Sequence, residues 1–205
     1  MIDEALRSRL LAMADEDLTV RSRLAADGSL FDGYHPEMRA VHEVNADAVA
    51  ELIRDSGWPT EERVGADGAE AAWLVVQHAI SRPALCWAVL IELKRLGEAG
   101  KVPRWQAAYL EDRIRVFEGR AQLYGTSFDW DEEGRMSPRP IEHPELVDQR
   151  RQAVGLEPLR EATARHRQGS PSEFRPADMD QRRREIEAFA HAVGWRSQAE
   201  RRLTD

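Results

Sequence analysis

The sequence predicts a mainly α-helical, bundle-like single domain with a small β-hairpin at about residues 122–141 and a C-terminal helix. Apolar residues recur at helical spacing in five successive segments of the first 120 residues, and most of these segments are bounded by glycine or proline. After residue 120 the pattern changes, because two short segments of strand type flank DEEG, a connection whose final glycine suits a hairpin.

The first three helices are predicted from their apolar stripes. Residues 1–26 form a first helix or helix pair, and residues 36–57 form a second helix in which Asn45 is the one polar residue of the stripe. A loop at 60–68 precedes a nearly all-apolar helix at 69–80, which reads as buried in the core. The only polar interior residues of this third helix are Gln77 and His78.

Prolines and glycines mark the remaining helices. The fourth and fifth helices begin at Pro83 and Pro103. After the hairpin, the pattern predicts a helix opened by Pro144, a polar helix, a linker at 168–176 and a last amphipathic helix. We therefore divide the chain into a helical domain at 1–165 and a linker with the C-terminal helix at 166–205.

The amino-acid composition argues against several classes of protein. Of the 205 residues, 42% are hydrophobic and 32% are charged, which excludes disorder throughout, and the net charge of −8 gives no general attraction for nucleic acid. The single cysteine, Cys86, cannot form an internal disulfide and fits a reducing compartment. The acidic N-terminus is unlike a signal peptide and no apolar run reaches about 18 residues, so we expect a cytoplasmic protein without membrane contact.

Several spaced motifs resemble an uncharacterised bacterial family known only as a domain of unknown function. The likeness covers about residues 32–159, and it implies a shared fold without bringing an activity. Ser127 departs from the glutamine expected after Tyr-Gly-Thr. The motifs are GWP at 57–59, VG at 64–65, AAWLVVQHAI at 71–80, YLEDRIR at 109–115, GRAQLYGT at 119–126, PIE at 140–142 and VDQRRQAVGL at 147–156.

His78 is the first candidate for chemistry. An imidazole at the end of a nearly apolar helix must find hydrogen-bond partners, and its near-neutral pKa suits acid–base work. A core histidine bonded to a carboxylate or carbonyl is the alternative interpretation.

Two charges of the fifth helix, Asp112 and Arg113, fall among residues of buried type. A charge facing a core needs a partner. They either form an ion pair or cap that holds the hairpin, or Asp112 orients His78 while Arg113 binds an anionic group.

The entrance to the hairpin combines Gln122, Tyr124, Gly125 and Thr126. Glycine permits close backbone approach, and the two hydroxyls can donate or accept hydrogen bonds, so this corner could hold a small ligand. Alternatively, Gln122 and Thr126 only satisfy the backbone of an edge strand.

The sequence lacks the common motifs of nucleotide, elbow-serine and metal sites, and we expect no cofactor. HExxH and CxxC spacings are absent, and a zinc site from His35 and His42 would need an unrelated third ligand, so no metal is expected.

The sequence therefore predicts a small-molecule-binding protein or enzyme with a polar pocket for a small polar or anionic ligand. His78, Asp112 and Tyr124 are the candidate catalytic residues. The candidate ligand-binding residues are Arg113, Gln77, Gln122, Thr126 and Asn45. The rival hypothesis is a non-catalytic interaction or scaffold module that contacts a protein partner through residues 171–205.

Overall fold

A computed structural model describes residues 1–31, 33–169, 175–176 and 178–196. The chain divides into two compact units, Met1–Val102 and Pro103–Asp205, and each is described by itself below. Within the described residues there are eight α-helices and one two-stranded antiparallel hairpin, so the predicted mainly α-helical fold with a small hairpin is confirmed. None of the described helices combines the length and the apolar character needed to cross a membrane.

The N-terminal unit is a bundle of four helices. Helix α1 packs against α2 and α3, and α3 also packs against α2 and α4. Most of the fully buried residues of this unit are aliphatic, which gives the bundle a largely apolar core. The helices are α1 (Glu4–Ala26), α2 (Pro36–Ser56), α3 (Glu61–His78) and α4 (Pro83–Glu98).

Helix α1 is one continuous helix, and its buried face includes a charged residue. Asp17 faces the core and is 0% exposed, whereas the neighbouring Leu18 is 48% exposed. Asp15 and Glu16 are exposed. A charge therefore occupies a core position of α1 while an apolar side chain faces water.

Helix α3 begins earlier than predicted. The loop expected at 60–68 is wrong, because the helix starts at Glu61 and continues past a kink at Gly65, whose φ of 76° is readily adopted by glycine. Arg7 donates to both carboxylate oxygens of Asp67, and this ion pair joins α1 to the first turns of α3.

The C-terminal unit surrounds the predicted hairpin. The strands are shorter than the segments predicted from sequence, with Phe128 opposite Pro138 and Trp130 opposite Met136. A turn from Asp131 to Gly134 connects them. The elements are α5 (Arg104–Phe117), β1 (Phe128–Trp130), β2 (Met136–Pro138), α6 (Val147–Ala153), α7 (Leu159–Gly169) and α8 (Met179–Ala192).

Helix α8 and Trp195, which follows it, contribute to the core of this unit. Phe117 at the end of α5 stacks on Trp195 and meets Phe189 edge-on. Trp195 is 0% exposed. Parts of the predicted linker and of the segment 171–205, which was predicted to bind a partner, lie outside the described residues. These parts are residues 170–174, 177 and 197–205.

Candidate functional site

Three helices of the N-terminal unit bring one carboxylate and two imidazoles together. Asp17 comes from α1, His42 from α2 and His78 from the last position of α3. One oxygen or nitrogen atom of each side chain lies within 4.8 Å of the corresponding atoms of the other two. We call Asp17, His42 and His78 the Asp–His–His cluster.

The Asp17 carboxylate is the centre of the cluster. His78 Nδ1 lies 2.7 Å from Asp17 Oδ2, within hydrogen-bond distance. His42 Nε2 lies 3.1 Å from the same oxygen, and we treat this contact as electrostatic, because it forms a hydrogen bond only if Nε2 carries a proton. Asp17 Oδ1 and His42 Nε2 are both buried and have no hydrogen-bond partner among the described residues.

Tyr34 supports the cluster from the segment before α2. Its hydroxyl lies 2.8 Å from His42 Nδ1, which fixes the orientation of that ring. The rings of His42 and His78 are tilted against each other with centroids 4.7 Å apart. Burial raises the pKa of Tyr34, so the hydroxyl stays neutral and can donate or accept a hydrogen bond.

Burial and the imidazoles act in opposite directions on Asp17. Removal from water would raise the pKa of the carboxyl, but the adjacent imidazoles of His42 and His78 outweigh this effect and lower it below the ordinary value. Asp17 is therefore ionised at neutral pH.

Only one edge of the cluster reaches solvent. The side chain of Asp17 is 1% exposed and that of His42 is 8% exposed, whereas His78 keeps 18% of its side chain exposed. A small molecule arriving from solvent therefore meets His78 first. Chemically, the cluster can orient an imidazole toward such a molecule or bind a cation through oxygen and nitrogen lone pairs.

The carboxylate that holds His78 is Asp17, which the sequence analysis did not single out. Two predicted ligand-binding residues are buried in the same unit. Asn45 donates to the carbonyl of Met13 and so ties α2 to α1. Gln77 is 3% exposed in α3.

Asp112 has a different environment, in the C-terminal unit. Its two oxygens accept hydrogen bonds from the backbone N–H groups of Leu123, Tyr124 and Thr126 at 2.6–3.1 Å and from the Thr126 hydroxyl at 2.9 Å. Burial raises the pKa of Asp112, and these hydrogen bonds act against that rise. The carboxylate anchors the 123–126 segment to α5, as the structural interpretation of the sequence proposed.

At the corner before the hairpin, the side chain of Gln122 forms its hydrogen bonds with backbone groups. Gln122 donates to the carbonyls of Ser127 and Arg139 and accepts from the Ser127 N–H, which is the edge-strand role considered above. The Tyr124 carbonyl accepts from the buried Arg151. Arg113 is half-buried on α5. A pocket that combines His78 with Asp112 stays a prediction.

Sequence reasoning missed Asp17 and Tyr34 and set His42 aside. Asp17 continues the spacing of Leu10, Ala14 and Leu24 on the buried face of α1, which is the signal that could have found it. His42 lies one helical turn after the buried Met38. An acidic residue on one apolar stripe and a histidine on another are both unusual, so a contact between Asp17 and His42 could have been predicted.

The chain is a helical protein with a buried carboxylate–imidazole cluster in its N-terminal half. It belongs to the Family of unknown function (DUF6624), which matches residues 4–167, so the expected membership of a family of unknown function is confirmed. The match begins well before residue 32 and includes all three members of the Asp–His–His cluster. No curated protein and no solved structure matches the chain.

Proposed function

We propose that this protein binds a small polar or anionic molecule, as a binding protein or an enzyme, and that the molecule binds at the exposed edge of the Asp–His–His cluster. The observation that carries the proposal is the contrast within one pair: Asp17 is fully buried, and its partner His78, 2.7 Å away, reaches solvent. A buried carboxylate that orients a solvent-facing imidazole is a common arrangement in binding and catalytic sites.

The position of the charge supports the same proposal. On α1, Asp17 occupies a core position and Leu18 faces water, the reverse of what stability alone favours. Violations of local folding rules concentrate at functional sites, because function and stability place different demands on a residue.

The proposal differs from the sequence hypothesis in where the ligand binds. Asp112 and Thr126 are used to anchor the 123–126 segment, so we assign them a structural role and assign the ligand to His78. The ligand contacts expected from the sequence for Arg113 and Tyr124, which lie in the C-terminal unit, stay predictions.

The test is a thermal-shift screen of the full chain against small organic acids, phosphates and amino acids. His78→Asn is compared with the wild type, and His143→Asn is the matched control because His143 is an exposed histidine whose φ of 48° suits asparagine. We expect a ligand that raises the unfolding temperature of the wild type and of His143→Asn but not of His78→Asn.

The result that would overturn the proposal is a ligand-induced shift that His78→Asn retains. A loss of several kcal/mol of stability in His78→Asn, with no ligand found for the wild type, would favour the scaffold hypothesis.

A further inference from the structure

We infer that Asp17, His42 and His78 form a binding site for a divalent transition-metal ion, with Zn²⁺ as the best match. This inference deepens the proposed function, because it names an ion at the same cluster that would attract the anionic part of the ligand. Two imidazole nitrogens and one carboxylate oxygen are a ligand set found in catalytic zinc sites, where the remaining position is open to water or substrate.

Two buried polar atoms of the cluster have no hydrogen-bond partner in the part of the chain that the structure describes. Asp17 Oδ1 and His42 Nε2 are buried in the same cluster and form no hydrogen bond with the described residues. Buried polar atoms without partners are rare, and each destabilises the folded protein. One cation would satisfy both atoms, since each has a lone pair available for coordination.

Distances between the three side chains are the second argument. Ligand atoms about 2.0–2.2 Å from a tetrahedral zinc ion are separated from each other by about 3.3 Å. His42 Nε2 and Asp17 Oδ2 are 3.1 Å apart, and His78 Nδ1 and Asp17 Oδ2 are 2.7 Å apart. All three ligand atoms lie within 4.8 Å of one another, so side-chain movements alone can place them around one ion.

Tyr34 supplies the third argument. Histidines that bind metal usually donate their other ring N–H to a fixed acceptor, which sets the tautomer and the ring orientation. The Tyr34 hydroxyl, 2.8 Å from His42 Nδ1, can accept that hydrogen bond. With Nδ1 donating to Tyr34, His42 Nε2 carries the lone pair, and this is the nitrogen that faces Asp17.

Charge is the fourth argument. A carboxylate 2.7 Å from His78 Nδ1 repels an anionic ligand at the His78 edge when both imidazoles are neutral. A divalent cation bound by one carboxylate and two neutral imidazoles reverses the sign of the net charge to +1. The metal would therefore allow the anionic class of ligand to bind at this site.

The experiment is isothermal titration calorimetry of Zn²⁺ into the full chain after treatment with a chelator. We expect one ion per chain for the wild type. One metal ligand is removed in each of three variants, Asp17→Asn, His42→Asn and His78→Asn. The zinc affinity of each variant should fall by more than the 10–100-fold that is typical when a residue hydrogen-bonded to a metal ligand is removed. Tyr34→Phe keeps all three ligands and should lose about 10–100-fold.

The matched control is His143→Asn, because His143 and Glu145 form an exposed imidazole–carboxylate pair outside the cluster. We expect this variant to bind zinc as the wild type does. Absence of binding to the wild type would overturn the inference without reference to any variant. Binding that the three cluster variants leave unchanged would also overturn it.

Failure of this inference and failure of the proposed function give different results. The ligand screen is run on the chelated and on the zinc-loaded protein. A ligand that depends on His78 and binds equally to both forms supports the proposed function and contradicts the metal's role in ligand binding. One zinc ion per chain, lost in the cluster variants, with no ligand found supports the metal site alone.

Discussion

Asp17 and Asp112 are both 0% exposed, yet the protein surrounds them in different ways. Asp112, in the C-terminal unit, receives four donor groups from the 123–126 segment, and both of its oxygens accept hydrogen bonds. Asp17, in the N-terminal unit, has two imidazoles near one oxygen and no hydrogen-bond partner for the other.

This difference separates a structural carboxylate from one that is available for chemistry. A buried carboxylate whose lone pairs are occupied by backbone N–H groups holds a segment in place and has little capacity for a further ligand. A buried carboxylate with an unused oxygen beside two imidazoles can bind a cation or orient a ring. Burial alone does not distinguish the two, so the partners of each oxygen must be counted.

The largest effect is expected for Asp112→Asn. The amide nitrogen would replace one oxygen, so the N–H of Leu123 or that of Thr126 would lose its acceptor, and the amide group would add N–H donors that face other donors. At roughly 1–3 kcal/mol for each donor, we expect a loss of about 2–5 kcal/mol in the free energy of unfolding, measured by urea denaturation. Thr126→Val removes only the hydroxyl donor and should lose about 1 kcal/mol. An unchanged free energy of unfolding in Asp112→Asn would contradict the anchoring role.

A smaller effect is expected for Asp17→Asn in the metal-free protein. Asparagine retains an oxygen that can accept a hydrogen bond from His78, and Asp17 Oδ1 has no hydrogen bond to lose. We expect a loss of about 1 kcal/mol in the free energy of unfolding under the same conditions. A loss as large as that of Asp112→Asn would mean that both carboxylates are structural.

The smallest effect concerns pH and the exposed ion pair between Arg7 and Asp67. Hydrogen bonding by Arg7 lowers the pKa of Asp67 from 3.8 to about 2. Because this pKa is lower in the folded state, the pair stabilises the fold above pH 3.8, and its contribution is lost as the pH falls from 3.8 to about 2. The stability difference between wild type and Asp67→Asn should therefore shrink over that interval in urea titrations. A difference that stays constant with pH would show that the pair contributes nothing through its charge.

Much of the fold was predictable because glycine and proline mark the ends of helices. Pro36 and Pro83 begin α2 and α4, and Gly57 follows the last residue of α2, as expected from the sequence. The start of α3 was not predictable by this rule, since Gly65 kinks a helix there without ending it. A residue that permits a left-handed conformation does not itself show whether the helix continues beyond it.

The candidate site was only half predictable. His78 was identified because it is a polar residue on a nearly apolar helix. Asp17 was missed because it follows Asp15 and Glu16 in an acidic run, and only the three-dimensional packing of α1 shows which of the three faces the core. The partners of Asp112 were also hidden, since they are backbone N–H groups, which any sequence provides.

The most direct test of the account compares the zinc-dependent change in unfolding temperature of Asp17→Asn and Asp112→Asn. Zinc that binds the native protein raises the unfolding temperature. The account predicts that Asp112→Asn is less stable than the wild type but keeps this rise, whereas Asp17→Asn stays close to the wild type in stability and loses the rise. A rise that Asp17→Asn keeps and Asp112→Asn loses would contradict it.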